Sequence, residues 1–325
     1  MPKIGVIGVG GMGSAHCGSL SQVEGAEFVG VYDMSAEAAA QAAEKFGVRA
    51  FESEADLLGE IDGVIVATPG FYHTDPVVNA AKAGVHVFVE KPMADNVEDC
   101  DRMIEAADAG GAIIQVGMVL RFYPVNQLGM KMVQDGVIGD LVYIETDYSG
   151  SYRAPRERPE SWYGKMGGLL ENGIHKVDLI NWFGGKVKTV SAEVGSFSGH
   201  DDWEDYATGL IRYDTEIFGI LRWGGFMGSR GTTDTFLDGS KGSLRLCIDT
   251  QTVFQKLLSE SEWTEIVPED NKHNSVAAEV QHFVDCIEEG ETPIIDGHQG
   301  RDSVELVHAI YQSAKSGEKI VMRDA

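Results

Sequence analysis

No apolar run in this chain approaches the ~18 residues that a membrane-crossing helix needs, so no membrane partner is expected. Cysteine is scarce: Cys17, Cys100, Cys247 and Cys286 lie far apart and form no C-x-x-C. That spacing fits reduced thiols rather than a disulfide framework or a zinc site, and no metal is expected. Basic charge is short as well. Lys and Arg number 26 against 51 Asp and Glu, a formal net charge of −25. Such a surface repels phosphate backbones and anionic lipid, which argues against a nucleic-acid partner. "MPKIGVIGVGGMG" has no charged n-region, apolar h-region or twin arginine. With the thiols, that makes the expected compartment the cytoplasm. Internal repeats and low-complexity segments are also missing.

What is present, over 325 residues, is room for two domains. In the first 120 residues short apolar runs alternate with helical patterns. "KIGVIG", "EFVGVYD", "DGVIVATP", "GVHVFVEKP" and "AIIQVG" read as strands. Helices lie between them, one opened by Ser35 and closed by Gly47. Strands alternating with helices predict an α/β, doubly wound parallel sheet.

The first strand runs into Gly8-Val9-Gly10-Gly11-Met12-Gly13, a G-x-G-x-x-G placed before a helix. Gly8 permits the tight turn, Gly10 lets a pyrophosphate approach the backbone, and Gly13 lets helix pack on strand. The helix start at Gly11 and Met12 adds free N–H groups. Asp33 ends the second strand, 20 residues after Gly13. A carboxylate there accepts both adenosine ribose hydroxyls and repels a 2′-phosphate, so the expected cofactor is NAD rather than NADP. Ligands of such sheets sit outside the strand carboxyl ends, which places Thr68, Pro69, Glu90, Lys91 and Pro92 at the cofactor. His73 either caps the next helix or faces the cofactor. Lys91 follows a strand buried on both faces, and Pro92 constrains its backbone, so its ammonium is a candidate for catalysis.

Residues 121–325 read differently. "PVNQLGMKMVQDG" is a helix with Pro124 at its first position, and "DLVYIETDYSG" is a strand. "GGLLENGIHKVD" reads as one α-helix: at 100° per residue, Glu171, His175 and Asp178 share an arc of roughly 60°, beside an apolar strip of Leu170, Ile174 and Val177. The polar strip is either a catalytic edge or the solvent side of an amphipathic helix. Five successive strands without helices predict an antiparallel sheet, and helices at about 275–289 and 300–316 end the chain. The acidic "GHDDWED", with His200, Asp201, Asp202, Glu204 and Asp205, reads as a solvated loop.

On "GVIGVGGMGSAH", "VATPGFYHTDPVVNAAKAGVHVFVEKP", "VGMVLRFYPVNQLGMKMVQDGVIGDLVYIE", "SWYGKMGGLLENGIHKVDLINWFGG" and "SVELVHAIYQSAKSGEKI", the chain resembles the Gfo/Idh/MocA family. The resemblance covers essentially the whole chain. It implies an N-terminal Rossmann domain (1–120) and a C-terminal α/β domain (121–325) with a large, open, mostly antiparallel sheet. It also implies oxidation of a secondary hydroxyl of a sugar, polyol or sugar acid with NAD(P), and homodimers or homotetramers joined through the open sheet. The family's EKP lysine matches Lys91 and its helix histidine matches His175. Where the family often has aspartate four residues earlier, this chain has Glu171, on an arm one methylene longer. Arg121 matches a position that often contacts substrate.

On a sugar, Tyr152, Arg153, Trp162, Tyr163 and Lys165 of the aperiodic 151–166 segment can stack and hydrogen-bond. Asn172 and Asp178 are further substrate-binding candidates. Hydride removal needs a base for the hydroxyl proton and a cation near the developing alkoxide. His175 fits the base and Lys91 the cation, with the reverse assignment open, and Glu171 or Asp178 can orient the imidazole. The alternatives are an NAD-dependent glycosidase that oxidises its sugar transiently, and a non-catalytic NAD-binding metabolite sensor.

Overall fold

The computed structural model describes residues 1–150, 166–197, 204–225, 232–271 and 274–322. In chain order the elements begin with β1 (Lys3–Ile7), α1 (Gly11–Leu20), β2 (Glu27–Tyr32), α2 (Ala36–Phe46), β3 (Arg49–Ala50) and α3 (Glu54–Leu58). Next come β4 (Gly63–Val66), α4 (Thr74–Lys82), β5 (His86–Glu90), α5 (Val97–Gly110), β6 (Ile114–Gly117), α6 (Pro124–Gln134) and β7 (Leu141–Ser149). Then follow α7 (Ile174–Gly184), β8 (Val187–Gly195), β9 (Tyr206–Tyr213), β10 (Phe218–Gly224), β11 (Thr235–Gly239), β12 (Gly242–Cys247), β13 (Thr252–Leu257) and β14 (Thr264–Ile266). The helices α8 (Ser275–Glu289) and α9 (Gly297–Ser316) and the strand β15 (Ile320–Val321) complete the chain. No helix among the described residues is long and apolar enough to cross a membrane.

The chain divides into two units, Met1–Val119 with Asn274–Val304, and Leu120–His273 with Glu305–Ala325. The first therefore takes in α8 and the start of α9, beyond the contiguous 1–120 read from the sequence. The reason is packing: Val280, Phe283 and Val284 of α8 join Ile4, Val6, Ile65 and Phe88 of the strands in one core cluster. Its sheet is six-stranded, in the order β3-β2-β1-β4-β5-β6. Every pairing is parallel, as the uninterrupted apolar strands require. Local signals agree with the helix ends. The Ser35 hydroxyl accepts from Ala38 N–H to start α2, and Gly47 ends it at φ 69°.

The second unit is built on a nine-stranded sheet, β14-β13-β12-β11-β7-β10-β9-β8-β15. It is antiparallel except for β7 and β10, which run parallel. α7 packs on β7 and β10. That helix is not the two-faced element expected. Leu170, Ile174 and Val177 are buried as foreseen, but so are Lys176, Asp178, Leu179 and Ile180.

Lys176 is the costliest of these. Its ammonium is fully buried and donates to the Thr233 carbonyl at 2.7 Å and to Thr235 Oγ1 at 3.1 Å. Burial pushes its pKa from 10.5 down to about 7, against the pull of Asp234 and Asp249. From about pH 7 to 10 the folded chain holds this amine neutral while the unfolded chain holds it charged. Unfolding then takes up a proton, so stability rises with pH. All five tryptophans lie between residues 120 and 273, so their emission reports this unit. In urea unfolding, wild type should gain about 1.4 kcal/mol per pH unit over Lys176→Met across that window. Below pH 7 the two should run parallel, and parallel behaviour throughout would contradict a neutral lysine.

Candidate functional site

In the first unit the glycine loop is shaped by backbone contact. A Cβ on Gly13 would lie 1.8 Å from the Gly8 carbonyl oxygen, and Gly8 itself sits at φ 87° against Ala67 and Thr68. Neither position can hold a side chain. Gly10 and Gly11 are different: a Cβ there would meet nothing within 4 Å. Gly10 is the N-cap of α1 with no side-chain cap, and no acidic residue stands in the first turn. The open ground and uncapped N–H groups suit a pyrophosphate. Asp33 is held at the end of β2 by the N–H of Val9 on Oδ2 (2.9 Å) and of Ser35 on Oδ1 (2.8 Å). Two hydrogen bonds leave a carboxylate further lone pairs for ribose hydroxyls. These residues fit a dinucleotide.

At the other strand ends the residues divide by burial. Lys91, Thr68 and Pro69 are half-buried, and the Lys91–Pro92 peptide is cis. His73 is fully buried and makes no cap bond. Its ring nitrogens lie 3.0 Å from the Pro92 carbonyl and 2.7 Å from that of Thr68. Burial lowers its pKa against the pull of those carbonyls and of Glu90. His73 thus ties two strand-end turns together instead of capping a helix or presenting a face to cofactor. Glu90, expected at the cofactor, is likewise internal, 2.7 Å from His16 Nε2. Pro92 is buried beside it. No motif in the sequence marks His16 as a functional residue; its one signal is that it follows Gly13 by three positions, one turn on.

In the second unit the segment before α7 departs from α geometry. Leu169–Gly173 is a π-helix, wider than an α-turn, which changes the phase between Glu171 and His175. The surrounding glycines explain how it fits. A Cβ on Gly167, at φ 85°, would lie 2.5 Å from Tyr311 Oη and 2.8 Å from a Glu204 carboxylate oxygen. On Gly168 and Gly173 it would strike the Trp223 ring at 2.3 and 2.9 Å. Glu204 Oε1 accepts from Leu169 N–H (2.7 Å) and Tyr311 O–H (2.6 Å), while Tyr311 Oη accepts from Leu170 N–H (3.3 Å). Burial raises the pKa of Glu204 against those bonds. Asp205, fully buried, accepts from Phe197 N–H. The acidic segment is therefore buried at Asp205 and half-buried at Glu204, while His200, Asp201 and Asp202 lie outside the described residues.

His175, Glu171 and Asn172 are half-buried, Asn172 accepting from Trp223 Nε1 at 3.3 Å. Asp178 does not share their position. It is fully buried and holds Arg121 through two bonds, Nε to Oδ2 at 2.9 Å and Nη2 to Oδ1 at 2.7 Å. Burial pushes the Asp178 pKa up, opposed by Arg121. The two residues expected to meet substrate are instead an internal ion pair, with the guanidinium 5.3 Å from the Trp182 ring centre. Tyr152, Arg153, Trp162, Tyr163 and Lys165 lie outside the described residues.

Residues 2–118 match the family model of the oxidoreductase family's NAD-binding Rossmann fold, and residues 130–322 match that of its C-terminal alpha/beta domain. The chain belongs to the Gfo/Idh/MocA oxidoreductase family. Its N-terminal unit is thus an NAD-binding Rossmann domain. Among relatives, scyllo-inositol 2-dehydrogenase (NAD(+)) of Bacillus subtilis (strain 168) is 27% identical, over 97% of this chain and 94% of its own. The 2,7-anhydro-N-acetylneuraminate hydratase of Escherichia coli (strain K12) is 28% identical, over 76% of this chain and 68% of its own. Levoglucosan dehydrogenase, solved with NADH and levoglucosan, shares the fold with a TM-score of 0.92 at 20% identity, covering 99% of both chains.

The ion pair sets a stability test. Asp178→Ala leaves a buried guanidinium without its counter-charge and should cost about 3–5 kcal/mol in urea unfolding read by tryptophan emission. An unchanged midpoint would show that the pair is not what holds Arg121 inside.

Proposed function

We propose that this protein is an NAD-dependent dehydrogenase that oxidises one secondary hydroxyl of a sugar, polyol or sugar acid. The observation that carries this reading is the side-chain-free cradle at Gly10 and Gly11, with Asp33 at its edge and Lys91 at a strand end of the same sheet. When bound, the nicotinamide supplies the redox chemistry. Gly8, Gly10, Gly11, Met12 and Gly13 hold the pyrophosphate, Asp33 the adenosine ribose, and Thr68 and Pro69 the cofactor's edge. His175 accepts the substrate hydroxyl proton, and the Lys91 ammonium stabilises the charge that develops on that oxygen. Glu171 orients the imidazole or binds a neighbouring hydroxyl. A metabolite sensor would have no use for Lys91 and His175. A relative named as a hydratase keeps a second reading in view, an anhydro-sugar or glycoside reaction through transient oxidation, which proceeds without net NADH release.

Two further features belong to the proposal. Tyr143, Leu210, Phe218 and Ile220 share one side of the neighbouring strands β7, β9 and β10 with Glu145 and Arg212, a mixed apolar and charged face on which copies could pair into a homodimer or homotetramer. The four cysteines are unpaired and buried, which suits the cytoplasm.

A panel of polyols, aldoses and sugar acids with NAD, read by NADH formation, tests the activity. Lys91→Ala and His175→Ala should each lower kcat by about 10²-fold or more with NAD affinity nearly unchanged. Wild-type turnover in either variant removes that residue from the mechanism. Cofactor choice has its own measurement. Asp33→Ala should reduce the preference for NAD over NADP by about tenfold or more, since a charge-assisted bond to ribose is lost and the repulsion of a 2′-phosphate goes with it. An unchanged ratio of dissociation constants would assign the preference elsewhere.

A further inference from the structure

Three ionisable side chains meet in the interior of the first unit, and the chemistry proposed above uses none of them directly. His16 comes from α1, Glu90 ends β5, and Glu279 comes from α8; their exposures are 0, 5 and 1%. One nitrogen or oxygen of each lies within 4.8 Å of the others. Glu90 uses both oxygens: Oε1 faces His16 Nε2 at 2.7 Å, and Oε2 accepts the backbone N–H of Lys91 at 3.0 Å. Gln115 of β6 is also fully buried and donates Nε2 to the backbone carbonyl of Glu279 at 2.7 Å, which fastens the turn that carries this acid. Glu279 Oε2, His16 Nδ1 and Gln115 Oε1 are buried and have no hydrogen-bond partner among the described residues.

Two carboxylates this close, both buried, cannot both remain ionised. Glu90 is the one supplied with donors. Burial would raise its pKa, but the His16 hydrogen bond and charge, then Lys91, outweigh that and hold it below the usual carboxylate range. Glu279 has no such donor, and burial, then the charge of Glu90, push it well above that range. The titratable groups facing it are His16 from α1 and Glu90 from β5, with Lys91 next along the chain; β6 contributes the neutral Gln115. A divalent cation could replace the proton in principle. Tetrahedral bonds of ~2.0–2.1 Å would hold two ligand atoms about 3.3 Å apart, however, whereas His16 and Glu90 stand at hydrogen-bond distance.

We propose that Glu279 is a neutral carboxylic acid in the folded enzyme, and that in this form it completes a buried His16–Glu90–Glu279 network that positions Lys91. The proposal rests on the role assigned to Lys91 only for its consequence in catalysis. Glu279 is a positioning residue, acting through Glu90 on the backbone of Lys91.

The test compares wild type, Glu279→Gln and Glu279→Ala, each saturated with NAD at pH 8. Wild type should show an infrared carbonyl-stretch band of a protonated carboxylic acid that disappears in Glu279→Gln. With lysines reductively ¹³C-methylated, the Lys91 signal, assigned by its loss in Lys91→Arg, should keep its shift in Glu279→Gln and move in Glu279→Ala. On a substrate found in the panel, kcat should stay within about threefold of wild type for the Gln variant and fall about tenfold or more for the Ala variant. The proposal is overturned by the same band in wild type and Glu279→Gln or by its absence from wild type, or by a Gln variant whose Lys91 signal moves as far as that of Ala. Stoichiometric metal retained by wild type and lost in Glu279→Gln also overturns it, in favour of a cation site. Should Lys91→Ala keep wild-type turnover, the catalytic reading fails by itself, and the infrared and ¹³C signals still decide the network.

Discussion

The approach of Gly13 to the carbonyl of Gly8 is the constraint on which the first unit depends. A methyl group at Gly13 would overlap that oxygen at 1.8 Å, so only glycine lets α1 begin where it does. Once it begins there, its uncapped N-terminus opens at Gly10 and Gly11, and His16, one turn beyond Gly13, is carried into the interior. There it meets Glu90, whose other oxygen holds the backbone of Lys91. One steric requirement thus links the ground on which a cofactor can lie to the position of the lysine. The G-x-G-x-x-G and the E-K-P are parts of one packing problem.

The second unit solves a similar problem with larger partners. Gly167, Gly168 and Gly173 make room for Tyr311, Glu204 and Trp223. Without side chains at these positions the backbone can take the wider π-turn, and Glu204 and Tyr311 then satisfy the N–H groups of Leu169 and Leu170. The histidine comes directly after that turn. Its direction is therefore set by residues 29 and 136 positions later in the chain, Glu204 and Tyr311, rather than by local helix periodicity.

This explains what could be read from the sequence. The parallel sheet, the glycine loop, Asp33 and the mostly antiparallel order of the second sheet are written in local patterns: apolar strands, caps and short turns repeat within 30 residues. The strands β14 and β15 and the helix α3 are too brief to show a period, and β13 mixes polar with apolar positions. The assignment of α8 to the first unit depends on contacts between residues some 200 positions apart, to which no periodicity points. The phase of Glu171 against His175 departs from 100° per residue because the π-turn lies between them, whereas His175 and Asp178 share a regular α-helix and differ because Arg121 draws Asp178 inside.

Burial finally sorts the charged residues that residue type alone could not. Arg121, Asp178, Glu90, His73, Lys176 and Glu279 are all chemically fit for a substrate site, yet each is fully or almost fully buried. A charge removed from water persists only with a partner or by giving up its charge, and both outcomes occur here. Arg121 and Asp178 pair, and His16 supports Glu90, whereas Lys176 and Glu279 are displaced towards their neutral forms. Such groups are committed to holding the fold. Lys91, Glu171, Asn172 and His175, by contrast, keep part of their surface in solvent, and a small polar molecule can reach only side chains of that kind. Two of them adjoin a committed group in the chain: Lys91 follows Glu90, and His175 precedes Lys176. Burial thus separates two kinds of polar residue within one strand end and one helix, those held inside and those left partly open to solvent.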